Sequence, residues 1–447
     1  MVSRRDFIGK SALLAGSLSF LKFSNPVFAE ALERKVGAIH ESPLQTANDE
    51  DFWSWVRESY TLSPNVTNLN AGGVSAQPKV VQDAHIENYK FCNQGPSYYM
   101  WNILDQGRKT LKAKLADLAG CSPEELAINR NATEGLNTVI FGLHLKAGDE
   151  VVVNKYDYPH MLQAWEQRAR RDGVVLKYID FELPAENDDA IVKAYADKIT
   201  SKTKVVHITH VINWVGQIMP AKKIADLAHS KGCEVIVDGA HSFNHFDYKI
   251  PDTGADYFAT SLHKWLGAPF GSGLLYIKKD KIENIWSLFG DDDKARDKMD
   301  RFEWLGTRSF ASEMAIGNAV DFMEGIGIQR KEARLRYLKE YWTAKAKSIP
   351  KVSFSTSMMP QYSCAIASFS IDGWQGGDIT DRLFSDKKIF VTPIVYEKLN
   401  CVRVSPNIYN SLWELDRLVE GIAEIAKSDP PPKKEERKDD KNVVKKK

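Results

Sequence analysis

The sequence predicts an α/β protein built on an open, mostly parallel β-sheet. From about residue 126 to 277, short apolar runs rich in β-branched residues alternate with segments of helical periodicity. The expected strands are Val151–Val153, Val174–Tyr178, Val205–Thr209 and Val235–Val237. They are separated by helical segments near 160–171, 188–200 and 220–231. This alternation is typical of a parallel sheet covered by helices.

Two predicted strands end in residues that suit a cofactor. Val235–Val237 leads into Asp238, and a further strand at Asp256–Thr260 carries the chain towards Lys264. Ligands of open α/β sheets bind at the carboxyl ends of the strands. The pair suits pyridoxal 5′-phosphate (PLP), because a lysine holds its aldehyde as a Schiff base and a carboxylate pairs with its protonated pyridine nitrogen. Taken singly, Asp238 could cap a loop and Lys264 could be one of many solvated lysines.

A phosphate site is predicted where a helix begins. The segment Asn131–Gly135 follows a strand-like run, and a helix N-terminus binds anions through its free backbone N–H groups. Ala132 and Thr133 would offer these groups, together with the Thr133 hydroxyl. Ser261 and His263 would extend the same cradle. An ordinary capping box is the structural alternative.

A substrate site is predicted near the end of the chain. Arg403 lies in the segment Asn400–Asn410 and can hold a carboxylate through two parallel hydrogen bonds. The structural alternative is a surface salt bridge. If the clamp is correct, the substrate is a small molecule of the amino-acid type.

In this order and spacing, the four motifs resemble the aminotransferase class V family, which contains cysteine desulfurases, kynureninases and isopenicillin-N epimerases. The resemblance runs from about Asn70 to Val419. The Asp-Gly-Ala-His sequence at Asp238–His241 is most similar to the isopenicillin-N-epimerase-like branch. The resemblance implies a PLP-dependent transferase fold of the aspartate aminotransferase type, with a large, mostly parallel-sheet domain and a smaller α+β domain.

The resemblance also implies roles for individual residues. Lys264 would be the Schiff-base lysine and the base that removes and returns the Cα proton, while Asp238 would pair with the pyridinium. His241 and Asn213 match positions beside the phenolic oxygen of the cofactor. From the sequence itself, a capping or core role suits His241 equally well.

Two further assignments follow from the family pattern. Tyr158 falls where the family stacks a ring on the cofactor, and Tyr156 is the competing choice. The Gly-Thr of the family that matches Thr307 reaches across a dimer interface to the phosphate of the neighbouring subunit. The resemblance therefore implies a homodimer with Thr307 as a ligand in trans.

The cysteines argue against one activity of the family. Desulfurases carry a persulfide cysteine on a loop before the position of Arg403, but Phe390–Tyr396 contains none. Cys401 is expected on the same strand as Arg403, where it would be a poor mobile nucleophile. The five cysteines are scattered without a Cys-x-x-Cys pair, which argues against a disulfide framework or a metal site. Transamination, epimerisation and elimination all stay open.

The N-terminus predicts export. Arg4-Arg5 is followed by a modestly apolar run, Ser11–Leu21, and a small-residue cleavage site at Val27–Ala29. This pattern indicates a twin-arginine signal removed near Ala29, so we expect a periplasmic protein that the twin-arginine export machinery carries in the folded state. A generic basic start to an amphipathic helix is the alternative. The apolar run is too short for a stable membrane span.

The expected organisation has five parts. They are a signal peptide at 1–29, an N-terminal arm at 30–70 that contributes to the small domain, a large PLP-binding domain at 71–285, a small C-terminal domain at 286–428 and a disordered charged tail at 429–447. With 60 basic and 59 acidic residues, the chain gives no reason to expect nucleic acid or a membrane surface as a partner.

The expected function is a periplasmic PLP enzyme acting at the α-carbon of an amino acid or of an amino-acid group in a larger molecule. The export signal suggests tailoring of an exported metabolite such as a peptide siderophore. One alternative is a homodimer that binds PLP or an amino acid without turnover, as a sensor or structural protein. Another is a scaffold with no cofactor.

Overall fold

The structure is a computed structural model that describes residues 45–432. The signal peptide predicted at 1–29, the start of the predicted arm and tail residues 433–447 lie outside the described residues. The helices are α1 (Glu50–Glu58), α2 (Lys79–Asn93), α3 (Arg108–Ala119), α4 (Ala132–Gly142), α5 (Pro159–Asp172), α6 (Asp188–Ala196), α7 (Ala221–Ser230), α8 (Phe310–Ile326), α9 (Ile328–Ala346), α10 (Gly376–Lys387) and α11 (Leu412–Lys427). A π-helical segment, Tyr98–Leu104, lies between α2 and α3.

The strands are β1 (Thr67–Asn68), β2 (Leu126–Asn129), β3 (Glu150–Asn154), β4 (Val175–Ile179), β5 (Thr203–Thr209), β6 (Val211–Ile212), β7 (Gln217–Ile218), β8 (Glu234–Asp238), β9 (Tyr257–Ser261), β10 (Gly273–Ile277), β11 (Val352–Phe354), β12 (Ala367–Ile371), β13 (Ile389–Phe390), β14 (Thr392–Tyr396) and β15 (Leu399–Val404). Each strand expected from the alternation is confirmed, with its ends shifted by one or two residues. The helices expected between them are confirmed as α5, α6 and α7.

The central sheet confirms the predicted α/β class. Within the described chain, seven strands form it in the order β2-β10-β9-β8-β5-β3-β4. The pairs β9–β8, β8–β5, β5–β3 and β3–β4 are parallel. Strand β10 is antiparallel to both of its neighbours, β2 and β9. The carboxyl ends of β5, β8 and β9 therefore meet at one edge.

Both faces of this sheet are buried, because successive side chains of a strand point to opposite faces. Val235 and Val237 of β8 pack in one hydrophobic cluster, together with Ile224 of α7. Ile236 packs in the other cluster, together with Trp165 of α5. Continuous apolar runs were therefore the correct signal for these strands.

A second sheet, of four antiparallel strands, is built from the C-terminal part of the chain in the order β11-β12-β15-β14. A third hydrophobic cluster joins it to α9, α10 and α11 through residues such as Trp342, Leu383 and Leu418. The early strand β1 pairs in parallel with β13, with Thr67 opposite Ile389. The domain boundaries themselves stay predictions.

Two local features position the site. The turn after β9 has positive φ angles of 69° at Gly267 and 77° at Gly271, where glycine is favoured. A small hairpin of β6 and β7, which was not predicted, holds Asn213 at its tip.

Among residues 45–432, no helix combines the length and the apolar character needed to cross a membrane.

Candidate active site

One cavity of about 370 Å³ gathers nearly all of the predicted site residues. It lies at the edge where β5, β8 and β9 end and is closed on the other side by β14 and β15. Its lining includes ten predicted residues, namely Ala132, Thr133, Tyr158, Asn213, Asp238, His241, Ser261, His263, Lys264 and Arg403. Thr307 lines a different cavity, beside Gly271 and Ser272. Within a single chain the structure therefore does not bring Thr307 to Lys264.

Lys264 and His241 form the centre of the cavity. Lys264 Nζ lies 3.0 Å from His241 Nε2. Burial lowers the pKa of Lys264 to about 8, with Arg403 acting in the same direction and Asp238 opposing them. Burial and the positive charge of Lys264 hold the pKa of His241 well below its ordinary value, so this ring is neutral. A neutral His241 can accept a hydrogen bond from Lys264, and this contact places it in the site.

Asp238 ends β8 and is 6% exposed. Its Oδ1 accepts a hydrogen bond of 2.8 Å from the Ala240 N–H. Burial and the nearby Asp157 raise the pKa of Asp238 to about 6. The following residue must be glycine, because a Cβ at Gly239 would lie 1.8 Å from Phe258 Cζ. A buried carboxylate of this kind is stabilised when a cation such as a protonated ring nitrogen binds beside it.

The start of α4 forms the anion end of the cavity. The Asn131 side chain caps the helix by accepting from the Glu134 N–H at 2.9 Å, and the Ala132 N–H donates to Ser261 Oγ at 3.0 Å. His263 Nδ1 lies 3.0 Å from the Ser272 carbonyl oxygen, which can only accept, so Nδ1 carries the proton. Consequently His263 can donate to a phosphate only in its imidazolium form.

Arg403 forms the opposite end. It lies within β15 and donates to the Asn213 carbonyl at 3.0 Å and to Asn70 Oδ1 at 2.8 Å. Its Nε is buried without a hydrogen-bond partner in the described chain. Burial lowers the pKa of Arg403 to about 10, so the guanidinium stays charged at neutral pH. Because Arg403 is 6% exposed, the alternative of a surface salt bridge is wrong.

The structure separates the two tyrosine candidates. Tyr158 precedes α5, lines the cavity and is 39% exposed. Tyr156 is 2% exposed and packs against Phe181 with 6.0 Å between ring centroids. Tyr158 is therefore the ring available to the cavity.

Sequence reasoning missed other residues of the site. Trp214 lines the cavity and stacks on Tyr396 with 4.7 Å between centroids. Asp157 and His207 are fully buried behind Asp238. The available signal was a histidine inside the apolar strand β5 and an acid directly before Tyr158.

Family comparison agrees with this geometry. The family described as aminotransferase class-V matches residues 67–418. The chain belongs to this family. It is similar to isopenicillin N epimerase of Amycolatopsis lactamdurans, with 29% identity over 396 residues, 84% of this chain and 99% of the relative.

Other members of the aminotransferase class-V family are also similar. A probable cysteine desulfurase of Halalkalibacterium halodurans is 28% identical over 380 residues, which is 79% of this chain and 91% of the relative. Among solved structures, a C-DES mutant with glycine covalently linked to its PLP cofactor has a TM-score of 0.75 at 20% identity and covers 82% of this chain and 99% of the other. The PLP-dependent transferase fold is confirmed.

The cofactor of this class V protein is PLP, and the residues present fit it. Lys264 offers an amine, Asp238 a buried carboxylate and α4 an N-terminus in one cavity. His241 Nδ1 and Asn213 Oδ1 are buried polar atoms without partners among residues 45–432, as expected where a polar ligand binds. When bound, PLP supplies an aldehyde for an amine and a ring that accepts electrons from the substrate α-carbon.

Proposed function

We propose that the protein acts at the α-carbon of an amino acid, or of an amino-acid moiety in a larger molecule, with Lys264 as the base. One observation carries the proposal. The 370 Å³ cavity is lined by the Lys264 amine, whose pKa is lowered by burial, and by the Arg403 guanidinium, which no carboxylate of the described residues pairs with. Arg403 has no ion-pair partner among the described residues, so its charge is available to a substrate carboxylate.

The lowered pKa suits Lys264 to proton transfer near neutral pH. Its neutral neighbour His241, 3.0 Å away, can accept a hydrogen bond from this amine and hold it in position. Arg403 binds and orients the carboxylate, and the Tyr158 ring covers the cavity mouth. Transamination, epimerisation and elimination all begin with this proton removal. The similarity to isopenicillin N epimerase supports return of the proton to the α-carbon.

We propose further that the reaction is not cysteine-dependent desulfuration. None of the residues that line the cavity is a cysteine in the described chain. Cys401 lies on β15 as predicted, is 0% exposed, and burial raises the pKa of its thiol to about 11. A buried, protonated thiol is a poor nucleophile.

The cellular setting is also a proposal. The paired arginines at Arg4-Arg5 and the Ala29 cleavage site support export of a folded holoenzyme to the periplasm, where it would tailor an exported metabolite such as a siderophore. Thr307 lies outside the cavity of its own chain, which supports a homodimer in which it serves the neighbouring site. Cell fractionation with Arg4→Lys/Arg5→Lys as control, and sedimentation of the mature protein, test these points.

The activity is tested by proton exchange. The PLP-loaded protein is incubated in D₂O with amino acids and with peptides that carry a free α-amino group, and loss of the α-proton is followed by NMR. Chiral analysis, keto-acid detection and sulfide release identify the subsequent branch. Exchange abolished by Lys264→Ala and retained by Cys401→Ser is the expected result. PLP absorbance without exchange on any ligand would favour a non-catalytic binding protein instead.

A further inference from the structure

Two buried polar side chains behind Asp238 have no role in the reaction proposed above. Asp157 follows β3 and His207 lies in β5, and both are 0% exposed. One oxygen or nitrogen atom from each of Asp157, His207 and Asp238 lies within 4.8 Å of the other two. Two carboxylates and an imidazole are costly to bury together unless protons connect them. The positions of the protons on these three side chains therefore need to be assigned.

The tautomer of His207 is set by Trp165. The indole Nε1 lies 2.9 Å from His207 Nδ1. Since an indole N–H can only donate, Nδ1 is the acceptor, and the neutral imidazole must carry its proton on Nε2. Burial lowers the pKa of His207 to about 4, so the ring is neutral at physiological pH. His207 Nε2 in turn lies 3.4 Å from Asp157 Oδ2.

The two carboxylates compete for charge. Asp157 Oδ1 accepts from the Tyr158 N–H at 2.7 Å, while Oδ2 faces His207. Burial raises the pKa of Asp157 to about 7, and burial together with Asp157 raises that of Asp238 to about 6. Two carboxylates this close in a dry site hold one proton between them.

The surrounding charges decide which carboxylate keeps that proton. Lys264 faces Asp238 and favours its ionised form. Besides Asp238 and the neutral His207, the titratable groups facing Asp157 are the phenols of Tyr195 and Tyr396, which provide no positive charge. A cofactor bound in the cavity would also add its charge on the Asp238 side, since Asp238 lines the cavity. The negative charge therefore belongs on Asp238 and the proton on Asp157.

We propose that Asp157, His207 and Asp238 form a buried relay in which Asp157 holds the shared proton and Asp238 carries the negative charge. His207 is a positioning residue: its Nε2–H, set by the hydrogen bond from Trp165 to Nδ1, lies 3.4 Å from Asp157 Oδ2 and faces that oxygen. No proton is consumed, because one stays on Asp157 and one on His207. The relay keeps the charge on the carboxylate that pairs with the ring nitrogen. This inference rests on PLP as cofactor and not on the reaction proposed above.

The first test is infrared spectroscopy of the PLP-loaded protein. A difference spectrum between wild type and Asp157→Asn is expected to contain the carbonyl band of a protonated carboxylic acid that shifts in D₂O. Absence of that band would show that Asp157 is ionised and would overturn the proposal. Metal content of the purified wild type is measured alongside. A stoichiometric metal ion would also overturn it, because the same three residues would then be its ligands.

The second test removes the positioning group. His207→Phe keeps a flat ring but loses the N–H, so we expect the PLP dissociation constant to rise about tenfold, as for one lost hydrogen bond to a charged network. The pH midpoint of the bound cofactor absorbance should move upwards, because a less fully protonated ring withdraws fewer electrons from the lysine-bound nitrogen. His207→Gln retains an N–H donor and should restore both values most of the way.

The matched control is His210→Phe. His210 is also buried, burial lowers its pKa to about 4, and its ring packs against Phe246 and Tyr248 rather than Asp238. Equal effects of His207→Phe and His210→Phe would show that any buried histidine matters equally and would refute a positioning role. If His207→Phe does not fold, His207→Gln and the wild-type infrared and metal measurements still decide. None of these readouts depends on turnover.

Discussion

The two sheets contribute to the cavity in different ways. The central sheet supplies Asp238 at the end of β8 and Lys264 from the loop after β9, and the apolar residues of both strands are buried. The antiparallel sheet supplies Arg403 from within β15, where it lies opposite Thr392 and Ser368. The groups that fit the cofactor thus come from strand ends, and the proposed substrate clamp comes from a strand interior. A group on a loop can adapt to a ligand, while a group within a strand is fixed beforehand.

Lys264→Ala should have the largest effect, because it removes the amine supplied by the central sheet and leaves Arg403 of the antiparallel sheet in place. Loss of the amine removes the base, so α-proton exchange should fall by about 10²- to 10⁴-fold or more. PLP should still bind, but without a covalent link, which borohydride reduction followed by denaturation and gel filtration detects. Added methylamine supplies a free amine and is a suitable rescue control. Exchange at the wild-type rate would assign the base to another residue.

Arg403→Ala should weaken the binding of the substrate carboxylate, which we assign to the antiparallel sheet. Loss of the buried cation should lower kcat/KM by about 10²- to 10³-fold, mainly through KM, because a charge-paired carboxylate loses its partner. PLP affinity should change little. Arg382→Ala, which removes a surface arginine paired with Asp386 at 2.8 Å, is the matched control. Equal losses of PLP and substrate affinity would mean that Arg403 supports the whole cavity.

Gly239→Ala tests how tightly the central sheet constrains the Asp238 loop. The added methyl group collides with Phe258, so the free energy of unfolding should fall by about 1–3 kcal/mol. At Gly377, in α10, nothing lies within 4 Å of an added Cβ, so Gly377→Ala is the control. Denaturant unfolding measures both. A Gly239→Ala protein as stable as Gly377→Ala would contradict the tight packing.

The pH dependence of PLP incorporation should show how Arg403 of the antiparallel sheet affects the pKa of Lys264, which follows a strand of the central sheet. Below pH 8 Lys264 is mostly protonated and cannot attack an aldehyde, so the rate should rise with pH through about 8. Arg403 helps to lower this pKa. Arg403→Ala should therefore move the midpoint to higher pH, which stopped-flow absorbance can follow. An unchanged midpoint would mean that the two groups do not interact.

The sequence predicted the strands and the residues at their ends, because continuous apolar runs and parallel topology determine both. It could not decide between Tyr156 and Tyr158, because the directions of neighbouring side chains in a loop are determined only by the packing of the folded chain. The hairpin that carries Asn213 was also missed, because two-residue strands have no periodicity.

Other failures have a different cause. Whether His263 can donate to a phosphate depends on the carbonyl of Ser272, a contact that no local pattern encodes. Asp157 and His207 lie 50 residues apart (207 − 157) and meet only across neighbouring strands. Thr307, which was predicted to serve the cavity of a neighbouring subunit, stays a prediction, since the structure contains one chain.

The pairing of β1 with β13 has a consequence for how the enzyme is made. Thr67 and Ile389 are 322 residues apart (389 − 67), and Asn70, in the same early segment, orients Arg403. During synthesis on the ribosome, the residues from Ala132 to Lys264 emerge long before this closure is possible. A nascent chain thus completes its PLP-binding groups first and its carboxylate clamp last. Such high contact order makes closure of the clamp a late, slow step of folding.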